Sequence, residues 1–389
     1  MDYEKKFDET YSLARDYRRA YIRENVEKEC QKVKEKVCSF SISDEDYENS
    51  ILPYWKKYNV QPDKFWFEYY GSRDNRLDPK FIPGYMYYND LIPYLNNLDF
   101  LRATADKCFF DIKFKKAKMP ATICKCIGGL YYDSEMNMVS KDEAIRLCLD
   151  HDGKFIIKAS VYTCSSRNTF SIDPREYDEE KMCDLFESVG ANFIVQDRVK
   201  QHKELAKFNP GTVNTIRVHS LLTADGVYIP SALLRVGSPE QDVVEMGNGG
   251  YLVGISDDNR LSETSYRTDV LVHFDEKGVE KHEYILVPTT DRMEGKYDDN
   301  YVIPSMDKIR EKIKEIHPMI PHLKFVGWDF TVDEEGNPVL FEFNGSSDAQ
   351  VYQLICCKPI FGDMTDWVLD DYFIHRTMEK NHKQGLIYI

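Results

Sequence analysis

Residues 327–347 read GWDFTVDEEGNPVLFEFNGSS, and the fold is read outward from them. Two apolar, aromatic runs flank DEEGNP, whose Gly336 and Asn337 suit a tight turn, so the spacing predicts an antiparallel hairpin. Asp329 lies on the first run and Glu342 on the second, where they can come opposite each other on one face. Asn344 is two residues past Glu342 and shares its face, which leaves Phe341 and Phe343 for the apolar side. Two carboxylates and an amide would then meet. Opposed like charges are unfavourable unless something neutralises them, and a hard cation such as Mg²⁺ prefers such oxygens. The plain alternative is an amphipathic hairpin with its polar face in water. The aromatic flanks and the small residues GSSD that follow, suited to close approach of a ligand, favour the cation.

The chain has 389 residues, enough for two or three packed units. Its 26 Tyr and 21 Phe argue against disorder. A formal net charge of −15 gives no electrostatic attraction for a nucleic-acid backbone, so DNA and RNA are not expected partners. The charged N-terminus MDYEKKFDETYS is not a signal peptide, and no apolar run is long enough for a membrane span. The 10 cysteines are scattered, without the spacing of a zinc knuckle. Reduced, buried thiols in a cytoplasmic protein are the expectation.

Residues 1–38 predict a long charged helix, with Tyr11, Leu13, Tyr17, Tyr21 and Val26 as a partial apolar stripe. Residues 40–100 predict short helices joined by turns, interrupted at Pro79, Pro83 and Pro93. A helix, a turn near Pro120 and a short strand follow. From Gly153 onward, β-rich runs such as KFIIKASVYT, NFIVQDRV, NTIRVHSLLT, YIPSALLRVG and FVGWDFTVD predict strands. EEKMCDLFESV and SMDKIREKIKEIHPMI are the chief helical segments between them. The class is α+β, with mostly antiparallel pairing in the second half.

Lys158 ends the strand-like run GKFIIKAS, and Lys107 opens a helical segment in ATADKCFF. Either alone reads as a surface lysine. Arg217 and Arg235 lie on strands preceding the hairpin. They read as ligands for phosphate or carboxylate, or as partners for the chain's many acids. Asn248, Gly249 and Gly250 read equally as a ligand-approaching turn or a plain loop. His202 and His219 read as structural or surface histidines. Gln350, just past the hairpin, is a candidate substrate contact.

The ordered series DK, IIKAS, IVQDRV, NTIRV, GWDF and FEFNGS resembles the ATP-grasp superfamily. Further similarity to its sugar-transfer-associated family is carried by LDPKFIP (77–83), LAKFNPGTVNTIRV (205–218), ALLRVG (232–237), GNGGYLVGI (247–255) and PIFGDMTDWVLDDYF in the tail. The resemblance implies an ATP-grasp fold, two α+β lobes enclosing ATP behind a helical N-terminal region. It divides the chain at 1–100, 101–200 for the small lobe and hinge, and 201–389 for the large lobe and metal site.

The resemblance also implies that Lys107 and Lys158 contact the phosphates and that Gln196, Asp197 and Val199 form the adenine hinge. Asn214, opening NTIRV, joins the cofactor-binding set. Asp329, Glu342 and Asn344 match the Mg²⁺ ligands, and Arg217 and Arg235 take the catalytic anion-holding roles. The implied reaction is carboxylate–amine ligation through an acyl phosphate, on a small-molecule, glycan or peptide precursor in surface polysaccharide or peptide-conjugate synthesis. A kinase-like transfer and a non-catalytic nucleotide-binding module are the alternatives. One departure stands out: VYTCSSRNTFS has no glycine where many relatives carry a glycine-rich phosphate loop. Ser165, Ser166, Arg167 and Asn168 would then supply the phosphate contacts.

Overall fold

The computed structural model describes residues 3–37, 39–161, 169–238, 249–274 and 280–374. The expected phosphate loop, with Ser165, Ser166, Arg167 and Asn168, lies outside the described residues, as does Asn248.

Two antiparallel sheets organise the chain. The smaller contains β1 (Thr122–Ile127), β2 (Leu130–Asp133), β3 (Met138–Val139), β4 (Phe155–Ala159), β5 (Thr169–Ile172) and β6 (Phe193–Asp197), in the order β3-β2-β1-β6-β4-β5. The larger contains β7 (Thr215–Thr223), β8 (Gly226–Val236), β9 (Tyr251–Ile255), β10 (Leu261–Phe274), β11 (Glu280–Thr289), β12 (Phe325–Val332) and β13 (Pro338–Asn344), in the order β11-β10-β9-β8-β7-β12-β13. This is the expected α+β architecture, behind a helical N-terminal region.

Alternation decides what each face carries. On the small sheet Phe155, Ile157, Phe193 and Val195 turn toward helices Lys141–Leu149 and Glu179–Val189, which bury Ile145, Met182 and Phe186 against them. Ile156 and Lys158 therefore point the other way. On the large sheet Ile216, Val218, Leu234, Trp328 and Phe330 pack with Ile309, Ile313 and Ile316 of helix Met306–Ile316. Phe110 and Phe114, from the segment entering the small lobe, insert into this same core. The opposite face, through Leu221, Leu233, Leu252 and Phe325, is covered by the N-terminal helices and by the C-terminal helices Ala349–Cys356 and Thr365–Phe373. Trp55, Trp66, Phe81 and Tyr87 thus belong to one core with the last strands.

Two local expectations change. The long helix forms as Tyr3–Val37, tied along its surface by pairs such as Lys28–Glu24 at 2.6 Å. Its buried side, however, is Cys30 and Val33, while Leu13 and Tyr17 are each 74% exposed. A charged helix anchored at one end needs only its last turns against the core. Pro93 does not end its helix either. The run Gly84–Leu95 continues through a π-helical turn, Tyr87–Leu91, just before Ile92-Pro93, and Tyr47–Ile51 does the same before Leu52-Pro53. A widened turn accommodates the proline's missing N–H and its clash with the preceding turn. Among the described residues no helix is long and apolar enough to cross a membrane.

Candidate active site

The hairpin forms, and Asp329 pairs with Glu342 directly across β12 and β13. Between Asp329 and Phe330 the register shifts, so Phe330 pairs with Leu340 and Phe341 is the extra residue of a bulge. This corrects the expected apolar face. Phe343 is buried against Phe110, Phe114 and Trp328, and Leu340 joins it in the core. Phe341 is displaced toward the polar side, where the Lys158 ammonium lies 6.0 Å from its ring centroid.

Strand β7 brings Arg217 next to Asp329 in register. The guanidinium grips the carboxylate at both oxygens, with Nη2 donating to Oδ2 at 2.6 Å and Nε to Oδ1. Its Nη1 donates to Ser347 Oγ at 2.7 Å. Gly327 makes room for this arrangement, since a Cβ there would fall 2.6 Å from Ser347 Oγ and 3.1 Å from Arg217 Cδ. Arg235 Nη1 lies 3.4 Å from both Asp329 oxygens, and Asn344 Nδ2 donates to Oδ2 at 3.4 Å. The Asp329 side chain keeps only 4% exposure, while Glu342 keeps 32%.

The lysines arrive from the other sheet and from a turn tied to it. Asp106 accepts the Cys108 N–H at 2.9 Å and so starts the 3-10 turn Lys107–Phe109. The Lys107 N–H donates to Ser160 O at 3.1 Å, which ties that turn to the end of β4. Lys107 Nζ then reaches Glu342 Oε2 at 3.1 Å. Lys158 stands beside it. Burial, helped by the neighbouring Lys107 charge and opposed by Glu342 and Asp329, lowers its ammonium to about 8. Burial works to raise the Glu342 carboxyl, but Lys107, Lys158 and Arg217 outweigh it and hold the group down at about 2. Arg217 loses to burial and gains more from Asp329, ending above its ordinary value. Two carboxylates therefore sit among four cations drawn from both sheets, a surplus of positive charge suited to a polyanion.

The hinge residues lie elsewhere. Gln196 is buried and donates from Nε2 to Pro120 O at 3.3 Å. The Asp197 carboxylate is 3.0 Å from His151 Nε2, and its N–H donates to Ala121 O at 2.8 Å. Asp197 and Val199 line a cavity of about 600 Å³ with His151, Lys154, Thr212 and Glu334, and none of the four cations lines it. Asn214 is fully buried, and its Nδ2 donates to Leu205 O at 2.8 Å, Asn209 O at 3.1 Å and Gln201 Oε1 at 3.1 Å. That side chain staples the loop entering β7, because a buried amide must satisfy its hydrogens locally; its amide oxygen is buried without a partner.

The remaining candidates resolve into structure. His202 Nδ1 accepts from Glu204 N and caps a short helix. His219 is fully buried beside Ser231, and burial together with Arg217 drives its pKa far down. A Cβ on Gly250 would lie 2.5 Å from Val236 O, so that glycine serves close strand packing. Gln350 Oε1 accepts from Tyr88 at 2.9 Å, and Tyr88 also donates to Asp348 at 2.9 Å. Tyr88, and Tyr87 beside Asp348, were not singled out by the sequence. The two N-terminal tyrosines are over two hundred residues from the hairpin and carry no local signal.

Residues 180–365 match the family model described as sugar-transfer associated ATP-grasp. That model describes an ATP-grasp family, and this stretch of the chain is similar to it. The match spans just under half of the sequence. No curated protein matches. Solved structures similar to this chain include PsnB, an ATP-grasp ligase complexed with minimal precursor, Mg and ADP, at 13% identity over 71% of this chain and 62% of that chain, with a TM-score of 0.40. Others are the VanG D-Ala:D-Ser ligase from Enterococcus faecalis (10%, 69% and 61%, 0.41) and the D-alanyl-alanine synthetase A from Vibrio cholerae (12%, 70% and 66%, 0.37). The chain spans less than two thirds of the length of each. No residue role is transferred from them.

Proposed function

We propose that this ATP-grasp chain is an ATP-dependent ligase that activates a carboxylate as an acyl phosphate and passes the acyl group to an amine. The observation that carries the reading is the convergence of Lys107, Lys158, Arg217 and Arg235 around Asp329 and Glu342. Phosphoryl transfer requires in-line positioning and neutralised charge, and little covalent help from the protein. Lys107 and Lys158 are placed to hold phosphate oxygens on the small-sheet side. Arg217 and Arg235 are placed to hold the transferring phosphoryl group and the substrate carboxylate on the large-sheet side.

The donor set also fits a divalent cation. Glu342 and Asn344, backed by Asp329, offer oxygen ligands on one face, as Mg²⁺ prefers. When bound, Mg²⁺ supplies charge neutralisation to the phosphate oxygens. In the reaction a substrate carboxylate oxygen forms a bond to the γ-phosphorus, the bond to the β–γ bridging oxygen breaks, and ADP leaves. An amine nitrogen then bonds to the acyl carbon, phosphate leaves with the electron pair, and the amine proton passes to solvent. The sugar-transfer association of the matching family supports a surface-glycan or peptide-conjugate precursor as substrate.

The test is product analysis with Mg²⁺, ATP and panels of carboxylates and amines. The expected result is ADP release that needs a carboxylate, and an amide that needs both. Phosphate retained on the substrate without an amine would establish a kinase. Absence of ATP binding would overturn the reading.

A further inference from the structure

The residues suited to a divalent cation are already neutralised by the residues suited to phosphate. Glu342 holds Lys107 at 3.1 Å. Asp329 is gripped by Arg217 and faced by Arg235 at 3.4 Å. A bare cation entering here meets four positive side chains and two occupied carboxylates, and must displace an ammonium from Glu342 to gain a ligand. Like charge at such short range opposes binding. A polyphosphate changes the balance. It offers the Lys107 ammonium new anionic oxygens, and Glu342 is released as that ammonium moves across.

We infer that Lys107 is a placeholder on Glu342, so that the site takes a divalent cation only as a complex with a polyphosphate; this rests on the nucleotide reading above. Lys107 is placed for the exchange. Its backbone is fixed to Ser160 O at 3.1 Å while its long side chain crosses to the other sheet, so the ammonium can change partner with no backbone movement. Glu342 is the carboxylate that opens to solvent, whereas Asp329 is enclosed. Arg217 is locked by its two-point grip and by Ser347 and stays in place. The exchange that frees a ligand atom is thus the one at the Lys107–Glu342 pair. The device keeps Glu342 paired before ligand arrives and makes cation and polyphosphate affinities mutually dependent.

Mn²⁺ in place of Mg²⁺ provides the test, because free Mn²⁺ is measured directly by its paramagnetic resonance signal. The full chain is titrated with Mn²⁺ alone and with Mn²⁺ in the presence of ADP. The wild type is expected to bind Mn²⁺ alone at least about tenfold more weakly than with ADP. Lys107→Gln is expected to strengthen binding of Mn²⁺ alone by about tenfold and to shrink the effect of ADP. Lys107→Arg should restore the wild-type pattern, and adding Glu342→Gln to Lys107→Gln should abolish the gain. If Lys107→Gln does not fold, Lys107→Met, which keeps the apolar stem, is read in the same way. Equal wild-type affinity with and without ADP, or a folded Lys107 variant with unchanged affinity for Mn²⁺ alone, overturns the inference. Failure of the wild type to bind Mn²⁺ even with ADP overturns the nucleotide reading instead.

Discussion

Phe341 and Phe343 stand two positions apart on one strand, yet the bulge at Phe341 gives them opposite fates. Phe343 is a core residue stacked on Phe110 at 5.2 Å. Phe343→Ala should therefore cost roughly 3–5 kcal/mol in a denaturant titration, by loss of burial and creation of a cavity. Phe341→Ala should cost under about 1 kcal/mol, as expected of a side chain that is not enclosed, but should weaken ADP binding measured calorimetrically. Equal stability losses for the two would contradict the bulge. Glu342→Gln should stay folded by circular dichroism, at a lowered melting temperature because its ion pair with Lys107 is lost, and should lose metal-dependent ATP turnover. Retained turnover would remove Glu342 from the cation-holding role.

Strands β7 and β12 carry charge on one face and a closed polar network on the other. His317 Nδ1 contacts Ser220 Oγ at 2.8 Å, its Nε2 contacts Leu323 O at 2.8 Å, and Trp328 donates to the same Ser220 at 2.7 Å. Burial lowers the His317 pKa to about 4, so the folded chain holds this ring neutral where the unfolded chain, near 6.5, takes a proton. The contribution is full above about pH 6.5 and is lost as pH falls toward 4, because the unfolded state binds more protons in that window. Two and a half units correspond to roughly 3 kcal/mol. Stability followed by urea midpoint should fall across this window. His317→Asn should flatten the fall, and an unchanged slope would rule out this histidine as its source.

At the scale of the whole molecule, the N-terminal helices and the last strands share one apolar core. Asn96 donates from Nδ2 to Phe325 O at 2.7 Å and to Gly345 O at 2.6 Å, so residue 96 also pins the turn that follows the site hairpin. Removing residues 1–95 would expose that face of the large sheet. The shortened chain should lose its cooperative thermal transition and self-associate in size-exclusion chromatography. A monomer with an intact melt would show that the large sheet does not need its helical cover. The cation cluster lies on this covered face, so its geometry depends on the same packing.

The sequence by itself determined the antiparallel hairpin, the pairing of Asp329 with Glu342, and the α+β class. These follow from period-two alternation and turn residues, which act over a few positions. Local pattern also placed Lys107 at a helical start and Lys158 at a strand end. It misplaced Phe341, because a bulge inserts one residue without marking the alternation. It assigned Asn214 to the cofactor, and gave no sign that its amide nitrogen binds the loop around it. Only the tertiary structure decided that Lys107 rests on Glu342 and that Arg217 and Arg235 enclose Asp329. Those pairs join residues from separate sheets or non-adjacent segments, and charge alone matches any base of this acidic chain to many acids. Which acid each one meets is fixed by sheet order and register.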